Sequence, residues 1–253
     1  MENSKVEPPK QSMLDRLTQG SIYPYLQILI DGGWYYLEEG EKLKPPQLKV
    51  DTGSKWIHVC QDPDRYCRMY FSIFNHCGFI PEKCLHCWKV VVDLPTVRDL
   101  INMYSWQMKA SELDKNLWCK AGPEERNYVF RNYGAYFYCD NETDAIKRAK
   151  QVRQAMTRRD IKGKIIVKRG CTEMEFKHGN FDDYKKTVAQ REIEGKIYLS
   201  IDYKHKNQPQ SEEVRENCLK EWLSFAWGRA DSTAKQFNNG EPFYPKYKTY
   251  YED

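Results

Sequence analysis

The sequence predicts an α+β protein: a β-rich, metal-bearing N-terminal part, then a smaller α/β part. Three observations carry that prediction. Short runs of β-formers dominate the first 93 residues. Helix and strand patterns alternate afterwards. Five of the nine cysteines and three of the five histidines fall between His58 and Trp88.

The 253 residues suffice for one large domain or two small ones. Charged residues make up 30% and aromatics 14%, so the surface is very polar and much of the core is aromatic. The first ten residues are polar and lack the apolar centre of a signal peptide. No stretch approaches the roughly 18 apolar residues of a membrane span. The expectation is a soluble, cytoplasmic chain with no membrane partner. In a reducing compartment an odd number of thiols reads first as metal ligands rather than disulfides.

Taken in order, residues 1–11 read as a disordered arm, and Ser12 as the cap of a short helix through Leu17. Residues 23–36 read as a hairpin: Leu26, Ile28 and Ile30 alternate before Asp31-Gly32-Gly33, and Trp34, Tyr35 and Tyr36 follow. Short strands are expected at 48–50 and 55–60. Met69, Phe71 and Ile73 alternate within 68–74 and predict another. Residues 88–93 are strongly β, and Pro95 opens a helix carrying Val97, Leu100, Ile101, Tyr104 and Met108. Residues 110–132 read as irregular, and a boundary between 12–110 and 125–253 is placed there. Strand 133–139, helix 143–159 and strand 161–168 form a β-α-β element. Helix 181–194, strand 196–203 and a helix capped by Ser211 complete the reading.

Four groups of residues carry candidate chemistry. The first is the cysteine cluster. Cys84 and Cys87 form a Cys-x-x-Cys knuckle, which lets two sulfurs converge from one turn. Cys77 precedes it, and Cys60 or Cys67, or a histidine, completes the set. His86, inside the knuckle, is a poor ligand. Zinc suits four such ligands, and an iron–sulfur cluster is the chemical alternative.

The second group is basic. Ten Lys/Arg stand against one acid, Asp160, from Lys147 to Arg169, a local charge of +9 in a chain of net charge +4. Lys147, Arg148, Lys150, Arg153, Arg158 and Arg159 lie on the polar side of one helix and its end. Lys164, Lys168 and Arg169 extend the charge along the next strand. Such a surface attracts phosphates through counterion release. Tyr133, Tyr136 and Tyr138 would supply rings for stacking on unpaired bases.

The third is the stretch from Lys168 to His178, read as a loop after a strand. Glu175-Phe176-Lys177 matches half of a metal-dependent nuclease pattern. Asp160, Glu173, Glu175 and Lys177 would surround Mg or Mn there. The fourth is Cys119 near Glu124, Glu125 and Arg126, a thiol beside an acid and a base. The sequence holds no Gly-rich phosphate loop, dinucleotide fingerprint, Ser nucleophile elbow or His-Glu-x-x-His pair.

The function expected is therefore a zinc-stabilised protein that binds nucleic acid, or a nucleic-acid-bound assembly, through a basic helix and strand. The alternatives are a divalent-metal-dependent, nuclease-like enzyme and a protein-binding adaptor.

Overall fold

The computed structural model describes residues 20–34, 36, 42–45, 54–60, 66–202, 210–243 and 250. The arm at 1–11, the helix at 12–17 and the strand at 48–50 lie outside them. The described residues hold eight α-helices and one five-stranded antiparallel sheet, a mixed α+β architecture. They form two compact units.

One unit is helical. It gathers α1 (Tyr23–Asp31), α2 (Cys67–Cys77), α3 (Glu82–Leu85), α6 (Thr172–His178) and α7 (Val188–Ser200). Here the expected hairpin and strand are corrected to helices. In α1, Tyr25, Leu26 and Leu29 form a buried stripe, and Gly32 ends the helix by donating its N–H to Ile28. In α2, Met69, Tyr70, Ile73, Phe74 and Cys77 are the buried set, a helical spacing. Apolar runs this dense satisfy period 2 and period 3.6 together, and burial decides between them. Gly78 closes α2 in the left-handed conformation, φ 76°, its N–H donating to the Phe74 carbonyl at 3.1 Å. The expected strand at 196–203 is also helical up to Ser200. Thr187 and Gln190 make a reciprocal capping box that sets the start of α7.

The other unit holds the sheet, with strands β1 (Ile57–Cys60), β2 (Trp88–Leu94), β3 (Cys119–Pro123), β4 (Tyr133–Cys139) and β5 (Lys164–Arg169). Helices α4 (Val97–Leu113), α5 (Glu142–Arg158) and α8 (Glu212–Gly228) belong to it. The sheet order is β1-β3-β4-β2-β5, and every neighbouring pair is antiparallel. So β2 runs parallel to β3 with β4 between them, and β4 runs parallel to β5 with β2 between them. The succession β2-α4-β3-β4-α5-β5 is thus two interlocked, split β-α-β units, the ferredoxin-like arrangement. One sheet joins strands from both sides of residues 110–125. Part of that stretch, read as irregular, is β3.

Alternation along the strands sorts the sheet into two faces. Val90, Val92, Leu94, Cys119, Ala121, Tyr133, Ala135 and Phe137 form one face. They pack in one cluster with Leu100 and Met103 of α4, Val152 and Met156 of α5, and Trp222 of α8. Each fully buried large apolar side chain contributes about 1.5–3 kcal/mol. The opposite face carries Lys89, Val91, Asp93, Lys120, Tyr136, Tyr138, Lys164, Ile166 and Lys168.

Two polar ties set where the helices begin and where β5 enters. Fully buried Asp99 accepts the Lys162 N–H at 2.9 Å and also holds the Thr96 hydroxyl. Asp231 accepts from the Val97 N–H at 2.7 Å and from the Tyr133 hydroxyl at 2.9 Å. At Gly163, φ 149°, a β-carbon would lie 2.4 Å from the Asp93 carbonyl oxygen. Only glycine lets β5 approach β2 at that point.

Candidate nucleic-acid interface

Helix α5 starts where Asn141 accepts the Asp144 N–H at its N-cap. Ala145, Val152, Ala155 and Met156 turn inward. Arg148 and Ala149 flank that stripe half-buried, and Lys147, Gln151, Gln154 and Arg158 follow one another at i, i+4, i+7 and i+11 along the outward crest. All four are exposed, as are Lys150, Arg153 and, at the C-cap, Arg159. Among the described residues, the side chains of Lys147, Lys150, Arg153, Arg158 and Arg159 make no ion pair.

Two grooves flank this crest. The first, about 550 Å³, lies toward β5 and is lined by Ile146, Ala149, Lys150, Arg153, Gln154, Ile165 and Val167. The second, about 490 Å³, lies toward α4 and is lined by Trp106, Gln151, Gln154, Ala155, Arg158 and Arg159. The half-buried Trp106 ring packs against Phe137, with ring centroids 5.5 Å apart and planes at 55°.

The sheet divides the remaining predicted bases. Arg148 is half-buried and paired with Asp114 at 2.9 Å, so it serves the fold. Arg169 stands opposite Trp88 in register, on the helix side, 5.9 Å from that ring. Lys164 and Lys168 stand opposite Asp93 and Lys89, on the other side of the sheet. The sheet therefore separates Lys164 and Lys168 from the bases of α5, while Arg169 stays on the helix side.

The three tyrosines do not form an open stacking platform. Tyr133 is fully buried and tied to Asp231. Tyr136 is buried, and its hydroxyl donates to Glu124 at 2.8 Å while accepting from Arg126 at 2.8 Å and Arg131 at 2.6 Å. Burial works to raise the Glu124 pKa. Hydrogen bonds from Arg126 and Tyr136, and the charges of Arg126 and Arg131, outweigh it, so the carboxyl ends below its ordinary value. Trp56 meets Tyr136 edge-on at 5.4 Å, and Lys120 lies 4.3 Å from the Trp56 ring centroid. Tyr138 alone of the three is half-buried, with Lys89 5.9 Å from its ring.

The cysteines are distributed along elements rather than gathered. Cys60 ends β1 and donates to the Lys115 carbonyl at 3.4 Å. Cys67 and Cys77 are the first and last residues of α2, roughly 15 Å apart along its axis. Cys84 lies on the short helix α3, so the knuckle is not a simple loop, and Cys87 just precedes β2. Burial, followed by the nearby Glu194 charge, pushes the Cys77 thiol up to about 12. Among the described residues, no group of three His, Cys, Asp or Glu side chains is placed to hold a metal ion.

The same finding covers Asp160, Glu173 and Glu175. The expected loop is the helix α6 instead. On a strand, residues two apart share a face; on a helix they diverge, so Glu175 points away from Glu173 and Lys177, which share a face at i and i+4. Asp160 is exposed, at φ 51°, and pairs with Lys162 at 2.5 Å. Cys119 is buried in the core of the sheet unit, where burial raises its pKa, the reverse of an activated thiol.

Compared with protein-family models, with curated proteins and with solved structures, the chain shows no match. A ferredoxin-like topology hosts many unrelated activities, so function lies in the residues it presents. The cations of α5 are legible in the sequence, whereas Trp106, Gln151 and Gln154 join them only in the fold. A tryptophan among the polar positions of helix 97–113 was the signal available.

Proposed function

We propose that this chain binds nucleic acid through the outward side of α5. The observation that carries the reading is the set of five exposed cations, Lys147, Lys150, Arg153, Arg158 and Arg159, with no ion pair among the described residues. Cations that a fold needs for itself are normally paired or half-buried, as Arg148 is with Asp114. Five left exposed along 13 residues attract a polyanion and release its counterions on binding. Amide side chains between them, Gln151 and Gln154, add hydrogen-bond donors and acceptors.

The test is fluorescence anisotropy with labelled 20-nucleotide single-stranded and duplex DNA across a salt series. Five neutralised phosphates give a slope of log affinity against log salt of about −3.5 on a single strand. Reversing Arg153 and Arg158 together (R153E/R158E) makes that slope about 1.4 units shallower. Affinity that is unchanged by both reversals, or absent at low salt, removes the reading.

A further inference from the structure

Resting on that reading, we infer that the ligand is single-stranded nucleic acid, and that one unpaired base seats on Trp106 in the groove between α4 and α5. Three features of the groove point the same way. Its wall is an indole, while its rim is cationic and its remaining polar lining is amide: Arg158 and Arg159 stand beside Trp106, with Gln151 and Gln154 along the crest. Its volume, about 490 Å³, falls in the range that holds a small organic ligand. Its ring is packed against the core of the sheet unit, with the Phe137 ring of β4 centred 5.5 Å from it.

Each feature matches one part of a nucleotide. The indole offers a π-face to a base, and such stacking tolerates any base. The two arginines carry the charge for flanking phosphates, and arginine presents a planar fork suited to them. The glutamines present both donors and acceptors to base edges. Ala155, the smallest lining residue, lies between Gln151 and Arg158 and leaves room above the helix. The neighbouring groove toward β5 has cations but no ring, so it suits the continuing sugar-phosphate backbone through Lys150 and Arg153. In a duplex the bases are stacked inside the helix and cannot reach a recessed indole. An acidic polypeptide would satisfy the arginines and leave the ring unused.

The experiment compares three labelled 12-mers on the full chain at one salt concentration: single-stranded thymidine, its duplex, and a strand of abasic tetrahydrofuran units with the same phosphate count. The expected result is single-stranded binding at least about five-fold tighter than abasic or duplex binding. In W106A the preference for bases over abasic units disappears. In W106F, which keeps a ring against Phe137, most of it remains. The wild-type comparison needs no mutation, so the inference stays testable if W106A does not fold. Equal binding of the thymidine and abasic strands, or equal displacement of thymidine by polyglutamate, overturns the base site while leaving an anion-binding α5. No binding of any strand, at a salt concentration where the protein is folded, overturns both this inference and the function it rests on.

Discussion

One buried lysine of the helical unit and the outer side of α5 in the sheet unit treat positive charge in opposite ways. In the helical unit, Lys186 is buried at 1% side-chain exposure and touches two carboxylates, Glu194 and Glu82. Glu194 also accepts from the Glu82 N–H at 2.9 Å and the Tyr198 hydroxyl at 2.5 Å, and Lys186 lies 5.5 Å from the Phe79 ring. Glu194 is buried with it while Glu82 reaches the surface, and the lysine is part of the core. In the sheet unit, five cations of α5 (Lys147, Lys150, Arg153, Arg158 and Arg159) are exposed, and among the described residues no acid pairs with them. A desolvated charge must be paired by the fold, whereas a hydrated charge can wait for a ligand. Reading burial and pairing together separates a structural cation from an interaction surface, which a count of lysines and arginines cannot do.

The largest effect expected is at the buried pair. Lys186→Met leaves Glu194 buried without its partner and lowers stability by about 3–5 kcal/mol, read from urea unfolding. Adding Glu194→Gln keeps the acceptor for Glu82 and Tyr198, removes the unpaired charge and recovers part of that loss. Nucleic-acid affinity of the folded protein stays at its wild-type value in both variants. An unfolding midpoint that does not move with Lys186→Met would break the contrast between the units.

Next in size is the pH response of the sheet unit. Burial, with the Lys120 charge adding to it, depresses the His58 pKa to about 4. The unfolded chain binds this proton near its ordinary pKa of about 6.5, so it takes up more protons than the native state between those values. Stability therefore falls as pH drops from about 6.5 to about 4, by on the order of 2–3 kcal/mol from this group. His58→Gln flattens that window. A wild-type stability curve with no slope there would show that His58 protonates freely in the fold.

The smallest effect sharpens the contrast within the sheet unit itself. Lys164 and Lys168 lie on the far side of the sheet from α5. Reversing both changes single-strand affinity by no more than about two-fold, since they act only through the general field. The α5 reversals, R153E and R158E, move stability by no more than about 0.5 kcal/mol. A loss from Lys164→Glu/Lys168→Glu as large as that from R153E/R158E would move the interface to the other face.

Much of the sheet unit was legible before the fold was known. Strand 133–139 and the helices after Asn141 and Ser211 were expected close to their observed ends. Each has a local cause: a β-forming run, or an N-cap side chain followed by a one-sided apolar stripe. The helical unit was not legible in the same way. In α1 and in residues 69–74 of α2 most positions are apolar or aromatic, so alternation and helical spacing are both present, and only packing chooses. The candidate site was half legible. The cations of α5 follow from helical spacing alone, but Trp106 reaches them from another helix about 45 residues earlier in the chain.

By itself the sequence determined the α+β class, the principal elements of the sheet unit and the concentration of positive charge on α5. These are properties of short segments, set by side-chain periodicity and capping within a few residues. The tertiary structure decided which residues share a surface. It set the sheet between Lys168 and Arg153, put Cys67 and Cys77 at opposite ends of one helix and brought Trp106 beside Arg158. Those outcomes depend on sheet order and helix packing, which involve residues far apart in the chain and leave no mark on any local pattern.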